Sequence, residues 1–98
     1  MEVRFADARL DRLEVDAKYD AGFSQVIVSL FRRRMQQIRS AVDERDFYNL
    51  KSLHFEKLKG NRSHQHSIRL NDQWRLILEF EGTAPKKTAV VIAIDDYH

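Results

Sequence analysis

The chain has 98 residues, 33% of them charged, with 17 Lys and Arg, 15 Asp and Glu, one Pro, three Gly and no Cys. That length holds one domain, and the lack of Cys excludes a disulfide framework, a thiol nucleophile and a cysteine-ligated metal centre. Met1-Glu2-Val3-Arg4-Phe5 lacks the apolar run of a signal peptide, and the longest aliphatic run, Ala89 to Ile94, is too short to span a bilayer; the expectation is one cytoplasmic domain over residues 1–98 with no membrane partner.

The net charge of +2 hides a gradient. Residues 1–20 carry a local −2, residues 32–75 a local +6 and residues 76–98 a local −2. A contiguous basic segment suits a polyanionic partner if the fold gathers it on one side. For Arg32-Arg33-Arg34 alone, a solvated helix face is the simpler reading.

In chain order, residues 2–6 form a short strand. Asp7 is placed to cap a helix whose apolar positions Leu10, Leu13 and Ala17 run toward a stop at Gly22. Ser24 caps a second helix, with Phe23 and Val28 spaced as a hydrophobic staple. Val26, Ile27, Leu30, Phe31, Met35, Ile38 and Val42 supply its apolar stripe, with Arg32 and Arg33 off it. Residues 43–51 read as a turn with a brief helical stretch. The apolar period then changes from 3.6 to 2. A short strand around His54–Leu58 leads to a turn at Gly60-Asn61. In His66–Leu70, Ile68 and Leu70 share a face; in Trp74–Phe80, Trp74, Leu76, Leu78 and Phe80 share one while Arg75, Ile77 and Glu79 share the other. Residues 81–87 make a hairpin loop, and Thr88–Ile94, apolar on both faces, reads as a central strand. The fold class is α+β in the order β-α-α-β-β-β, with two helices on one face of a mainly antiparallel sheet.

The chemistry is narrowed by what is missing. There is no nucleophile elbow, and Gly22, Gly60 and Gly82 are too scattered for a phosphate-cradling loop. His64 and His66 form an H-x-H pair with no acid nearby in sequence, best read as an exposed loop pair, so no metal site and no cofactor is expected. Asp96, Tyr97 and His98 after the last strand combine a carboxylate, a phenol and an imidazole, groups that move or orient protons near neutral pH. Strand alternation puts Asp96 and His98 on one side and Tyr97 on the other. Lys57, Lys59, Arg62, Arg69 and Arg75 fall on successive strand segments and can converge on one face to track a phosphate backbone. Edge protection by lysine accounts for Lys57 and Lys59, but less well for Arg69 and Arg75.

The run Leu58-Lys59-Gly60-Asn61-Arg62, the stretch Ser67-Ile68-Arg69-Leu70-Asn71-Asp72-Gln73-Trp74-Arg75 and the tripeptide Asp96-Tyr97-His98 together resemble the HigB branch of the RelE/ParE toxin superfamily, the plasmid maintenance killer toxins of type II toxin–antitoxin modules. The resemblance covers the whole chain. It implies a RelE-like microbial RNase fold and a ribosome-dependent mRNA endonuclease that inhibits translation. The implied partners are a cognate HigA-like helix-turn-helix antitoxin, the ribosomal decoding site with its rRNA, and mRNA. By motif, Lys59, Arg75, Asp96, Tyr97 and His98 take catalytic positions, and Arg62 and Arg69 match positions that are usually basic. Lys57, Arg32 and Arg33 join them as candidate RNA contacts. Some relatives carry a site histidine three residues before the lysine, where this chain has Glu56; either His54 takes that role through a shifted strand or the role is absent.

Metal-free cleavage would proceed by attack of the ribose 2′-hydroxyl on the adjacent phosphorus. Lys59, Arg69 and Arg75 would stabilise the phosphorane, His98 would act as base or acid, Asp96 would orient it or act as base, and Tyr97 would stack on a base or position the phosphate. The competing reading, from the ParE branch, is a non-enzymatic inhibitor of DNA gyrase, since a shared fold does not fix function.

Overall fold

The structure, a computed structural model, describes residues 1–83 and 85–96. Its sheet has five strands in the order β1-β5-β4-β3-β2: β1 (Glu2–Phe5), β2 (Glu56–Lys57), β3 (His66–Arg69), β4 (Trp74–Glu81) and β5 (Thr88–Asp96). β1 runs parallel to β5 and the other neighbours are antiparallel. The α+β class, the mainly antiparallel sheet and the central place of the last strand follow the sequence reading. The two-residue edge strand β2 lies within the short strand expected around His54–Leu58, which the order β-α-α-β-β-β did not count. Three helices, α1 (Ala8–Val15), α2 (Gln25–Ser40) and the single-turn α3 (Arg45–Tyr48), supply the other layer.

Asp7 caps α1 by accepting the Arg9 N–H at 2.9 Å. The helix ends at Val15, well short of Gly22. Asp16 and Asp20 turn their carboxylates onto the backbone N–H groups of Lys18 (3.0 Å) and Gly22 (2.8 Å). These two Asx turns compete with helix continuation, and Ala21 and Gly22 follow with φ of 53° and 85°. Arg32 holds this corner closed by donating from Nε to the Leu13 carbonyl (3.0 Å) and from Nη2 to the Asp16 carbonyl (2.9 Å), at the C-terminus of α1.

Ser24 caps α2 through the Ile27 N–H (3.3 Å), and Phe23 with Val28 flank the cap as expected. The buried stripe is Ile27, Val28, Phe31, Met35 and Ile38. Val26 and Val42 stand 65% and 64% exposed, so Val28 takes the core position assigned to Val26.

The core lies between the helices and one sheet face: Leu10 and Leu13 of α1, the α2 stripe and Phe47 of α3 meet Ile68, Leu76, Leu78, Ala89 and Val91. The opposite sheet face carries Ser67, Arg69, Arg75 and Ile77, as alternation requires. β5 breaks the alternation once. Ile77 pairs with Ala93 but Leu78 pairs with Val91, so Ile92 is an extra residue in a β-bulge. Beyond the bulge the faces exchange. Ile94 joins the core side opposite Leu76, and Asp95 comes to lie opposite Arg75 on the helix-free face.

Candidate active site

The helix-free face holds a cleft of about 240 Å³ lined by Leu58, Arg62, Ser67, Arg75, Ile77, Asp95 and Asp96. Leu58 and Ile77 give it an apolar floor. Cations and carboxylates form its walls.

Arg75 and Arg69 sit directly opposite each other on β4 and β3. Like charges in that register repel, and each is held by specific partners. Arg75, only 14% exposed, donates from Nη1 to the His54 carbonyl (3.2 Å), with Ser67 Oγ at 3.5 Å and Glu56 Oε1 at 3.4 Å. Arg69 pairs with Asp72 in the following turn, and its Nη1 lies 3.4 Å from His54 Nε2. From the helix side, Arg34 of α2 donates to the Arg69 carbonyl at 3.1 Å, anchoring β3 behind the cleft.

His54 is not on a strand, contrary to the expected His54–Leu58 segment. It adopts a left-handed conformation (φ 46°) after a 3-10 turn at Lys51–Leu53, and its carbonyl receives the Arg75 hydrogen bond. A non-glycine residue held there is strained by roughly 1–3 kcal/mol, and sidedness alone could not have revealed it. The residue serves both arginines of the cross-strand pair, Arg75 through its backbone and Arg69 through its ring.

Arg62 reaches the cleft from a second 3-10 turn, Gly60–Arg62. Its Nη2 lies 3.1 Å from Asp95 Oδ2, and its Nε donates to Gln65 Oε1 at 2.9 Å. Lys59 is exposed at the start of this turn and borders a shallow groove along β2 with Glu56, Lys57 and Leu58. Asp96 closes the end of β5 opposite Trp74, borders the cleft and accepts from Gln73 Nε2 at 3.2 Å. Tyr97 and His98, expected to complete the site, lie outside the described residues.

Three expected RNA contacts are placed elsewhere. Arg32 and Arg33 belong to α2, on the far side of the sheet, and Arg32 is engaged by the α1 corner. Lys57 pairs with His66 rather than Ser67, so it leaves β2 on the side away from the cleft. The H-x-H pair also divides. His64 is exposed, with Nε2 3.6 Å from Glu79 Oε2, whereas His66 stacks on Phe55 at 5.0 Å and meets the edge of Phe80 at 5.4 Å. Burial lowers the His66 pKa below 6.5, Lys57 and Lys87 lower it further, and Glu44 opposes them. No group of three or more His, Asp or Glu among the described residues is disposed to hold a metal ion.

Sequence reasoning missed Asp95, Ser67 and Leu58 as lining residues. Ser67 and Leu58 were recoverable, because they share strand parity with Arg69 and Glu56. Asp95 was not, since its face depends on the bulge.

The arrangement presents two fixed guanidiniums and a third on a loop, with carboxylates within reach. It can bind an oxyanion beside an apolar floor and supply general-base groups next to it. No helix among the described residues is long and apolar enough to cross a membrane.

Comparison with known proteins identifies the fold. The YoeB/ParE toxin from Agrobacterium tumefaciens is similar over 100% of both chains, with a TM-score of 0.64 at 17% identity. The conserved hypothetical protein HP0894 from Helicobacter pylori is similar over 99% of this chain and 94% of its own, with a TM-score of 0.53 at 10% identity. No curated protein sequence matches. The family model for HigB-like toxins, described as the RelE-like toxin of type II toxin-antitoxin system HigB, matches residues 3–98. The match spans nearly the whole chain, which therefore belongs to the HigB-like family of RelE-like toxins.

Proposed function

We propose that this toxin is a ribosome-dependent endoribonuclease that cuts mRNA by internal transesterification, is restrained by a HigA-like helix-turn-helix antitoxin and acts in the cytoplasm. The observation that carries the reading is the pair Arg69 and Arg75, directly opposite each other on β3 and β4, with Arg75 lining a cleft floored by Leu58 and Ile77 and Arg69 beside it. Two like charges held in register gain most from an anion between them, and the phosphorane of RNA cleavage is more anionic than its phosphodiester. Stabilisation therefore rises toward the transition state, as catalysis requires.

The ribose 2′-hydroxyl loses its proton and attacks phosphorus; the 5′-oxygen departs and takes up a proton, leaving a 2′,3′-cyclic phosphate and a 5′-hydroxyl. Arg75 and Arg69 hold the non-bridging oxygens, with Lys59, on the β2 groove that shares Leu58 with the cleft, adding charge. Asp96, Tyr97 and His98 are proposed for proton transfer and substrate placement, as the family motif implies. The HigB-like match favours this reading over a gyrase-directed one.

The test is a translated message carrying one 2′-deoxynucleotide at the mapped cut position. Cleavage should stop at that position and persist at unmodified ones. Efficient cutting at the deoxy position would overturn the transesterification, and equal cutting of untranslated RNA would overturn the ribosome dependence.

A further inference from the structure

The bulge at Ile92 has a chemical result: it puts a carboxylate outside the family's terminal tripeptide into the cleft. We infer that Asp95 is a positioning residue, which holds Arg62 across the cleft so that this guanidinium meets the RNA backbone beside Arg75. The inference rests on the RNA-cleaving reading of the same site.

Among the described residues, Asp95 both pairs with Arg62 and lines the cleft. Asp72 is 93% exposed in a turn and Glu56 is 53% exposed on the edge strand. Arg62 starts from a surface turn on a long side chain, so its guanidinium would sample solvent widely if unheld. Asp95 Oδ2 at Nη2 and Gln65 Oε1 at Nε grip one edge of the guanidinium. Gln65 is itself held, donating from Nε2 to Glu79 Oε2 at 2.9 Å. Arg62 Nη1 makes no hydrogen bond among the described residues, and is left to meet a phosphate oxygen.

The arrangement orders Arg62 before RNA arrives, which lowers the entropic cost of binding. A carboxylate in the cleft also repels phosphate. The two effects act in opposite directions, so their balance can be measured. With Asp95 and Arg62 about half-exposed, water screens the repulsion, and ordering prevails.

The experiment is a double-mutant cycle on binding of a single-stranded RNA made uncleavable by 2′-O-methylation, read by fluorescence anisotropy with the full chain. Asp95→Ala should weaken binding about fivefold in the parent and change it less than about twofold in an Arg62→Ala background. Asp95→Glu should recover most of the loss. Tighter binding of Asp95→Ala in both backgrounds would show that Asp95 only repels RNA. An equal loss in both backgrounds would show that it acts on the fold and not through Arg62. Failure of the parent to bind this RNA would overturn the inference as well. Cleavage of a translated message is scored separately: if the parent does not cut but the coupling holds, the nuclease reading falls and the Asp95–Arg62 assignment stands.

Discussion

A cross-strand arginine pair is an expensive thing for a small sheet to keep, and Arg69 with Arg75 costs about 0.2–1 kcal/mol against neutral neighbours. Replacing Arg75 by Ala relieves that repulsion but leaves the His54 carbonyl without its donor, a loss of about 1 kcal/mol. The relieved repulsion offsets part of that loss and of the weaker, longer contacts to Ser67 and Glu56. Arg75→Ala should therefore keep its melting temperature within a few degrees of the parent while mRNA cleavage falls about 10²–10³-fold; a collapse in melting temperature would assign Arg75 to the scaffold instead. His66 works in the reverse sense, as a titratable group serving the core. Its pKa lies below 6.5 in the folded state because burial among Phe55 and Phe80 disfavours the cation. The folded state thus binds fewer protons than the unfolded one as pH falls below that value. Its stability is complete above about pH 6.5 and declines as pH falls through the lowered value. Denaturation profiles at pH 7 and 5 should show the parent losing more stability than His66→Phe, and parallel profiles would refute this.

Elements with a clean period could be read from residues alone: Ser24 and the α2 stripe, or the alternation of β4, whose two faces are as expected. Reading failed where local side-chain chemistry overrides periodicity. Asp16 and Asp20 ended α1 early because their carboxylates reach backbone N–H groups two residues on. His54 left the strand through one left-handed residue. The bulge is the costliest miss, since Val90-Val91-Ile92-Ala93-Ile94 is apolar throughout and carries no sign of where a residue is extra. Simple alternation from Val91 would bury Ala93 and expose Ile94; the observed register does the opposite. Ile94→Asp should accordingly cost about 2–3 kcal/mol in denaturant unfolding, as an unpaired charge set against the core. Ala93→Asp should cost less than half as much. The reverse order would mean that β5 runs without the bulge and that Asp95 faces the helices.

Across the whole molecule, the basic excess of residues 32–75 divides into two uses separated by the sheet. Arg62 and Arg75 line the cleft on one face, with Arg69 beside them opposite Arg75, whereas Arg32 and Arg34 hydrogen-bond to backbone carbonyls on or near the other. Counting charges along the sequence could find the excess but not this division, because it is made by which strand face or helix side each arginine leaves from. The division has a thermodynamic signature. Each phosphate neutralised on single-stranded RNA releases about 0.7 of a counterion, so the three arginines of this face predict a slope near −2 for log affinity against log salt. Arg75→Ala should flatten that slope by about 0.7 while melting close to the parent. Arg32→Ala should leave the slope unchanged and lower the melting temperature, because the carbonyls of Leu13 and Asp16 lose their donors where α1 turns toward α2. If Arg32→Ala flattened the slope as much as Arg75→Ala does, RNA would have to contact the helical layer as well, and the cleft would not be the whole of the interface.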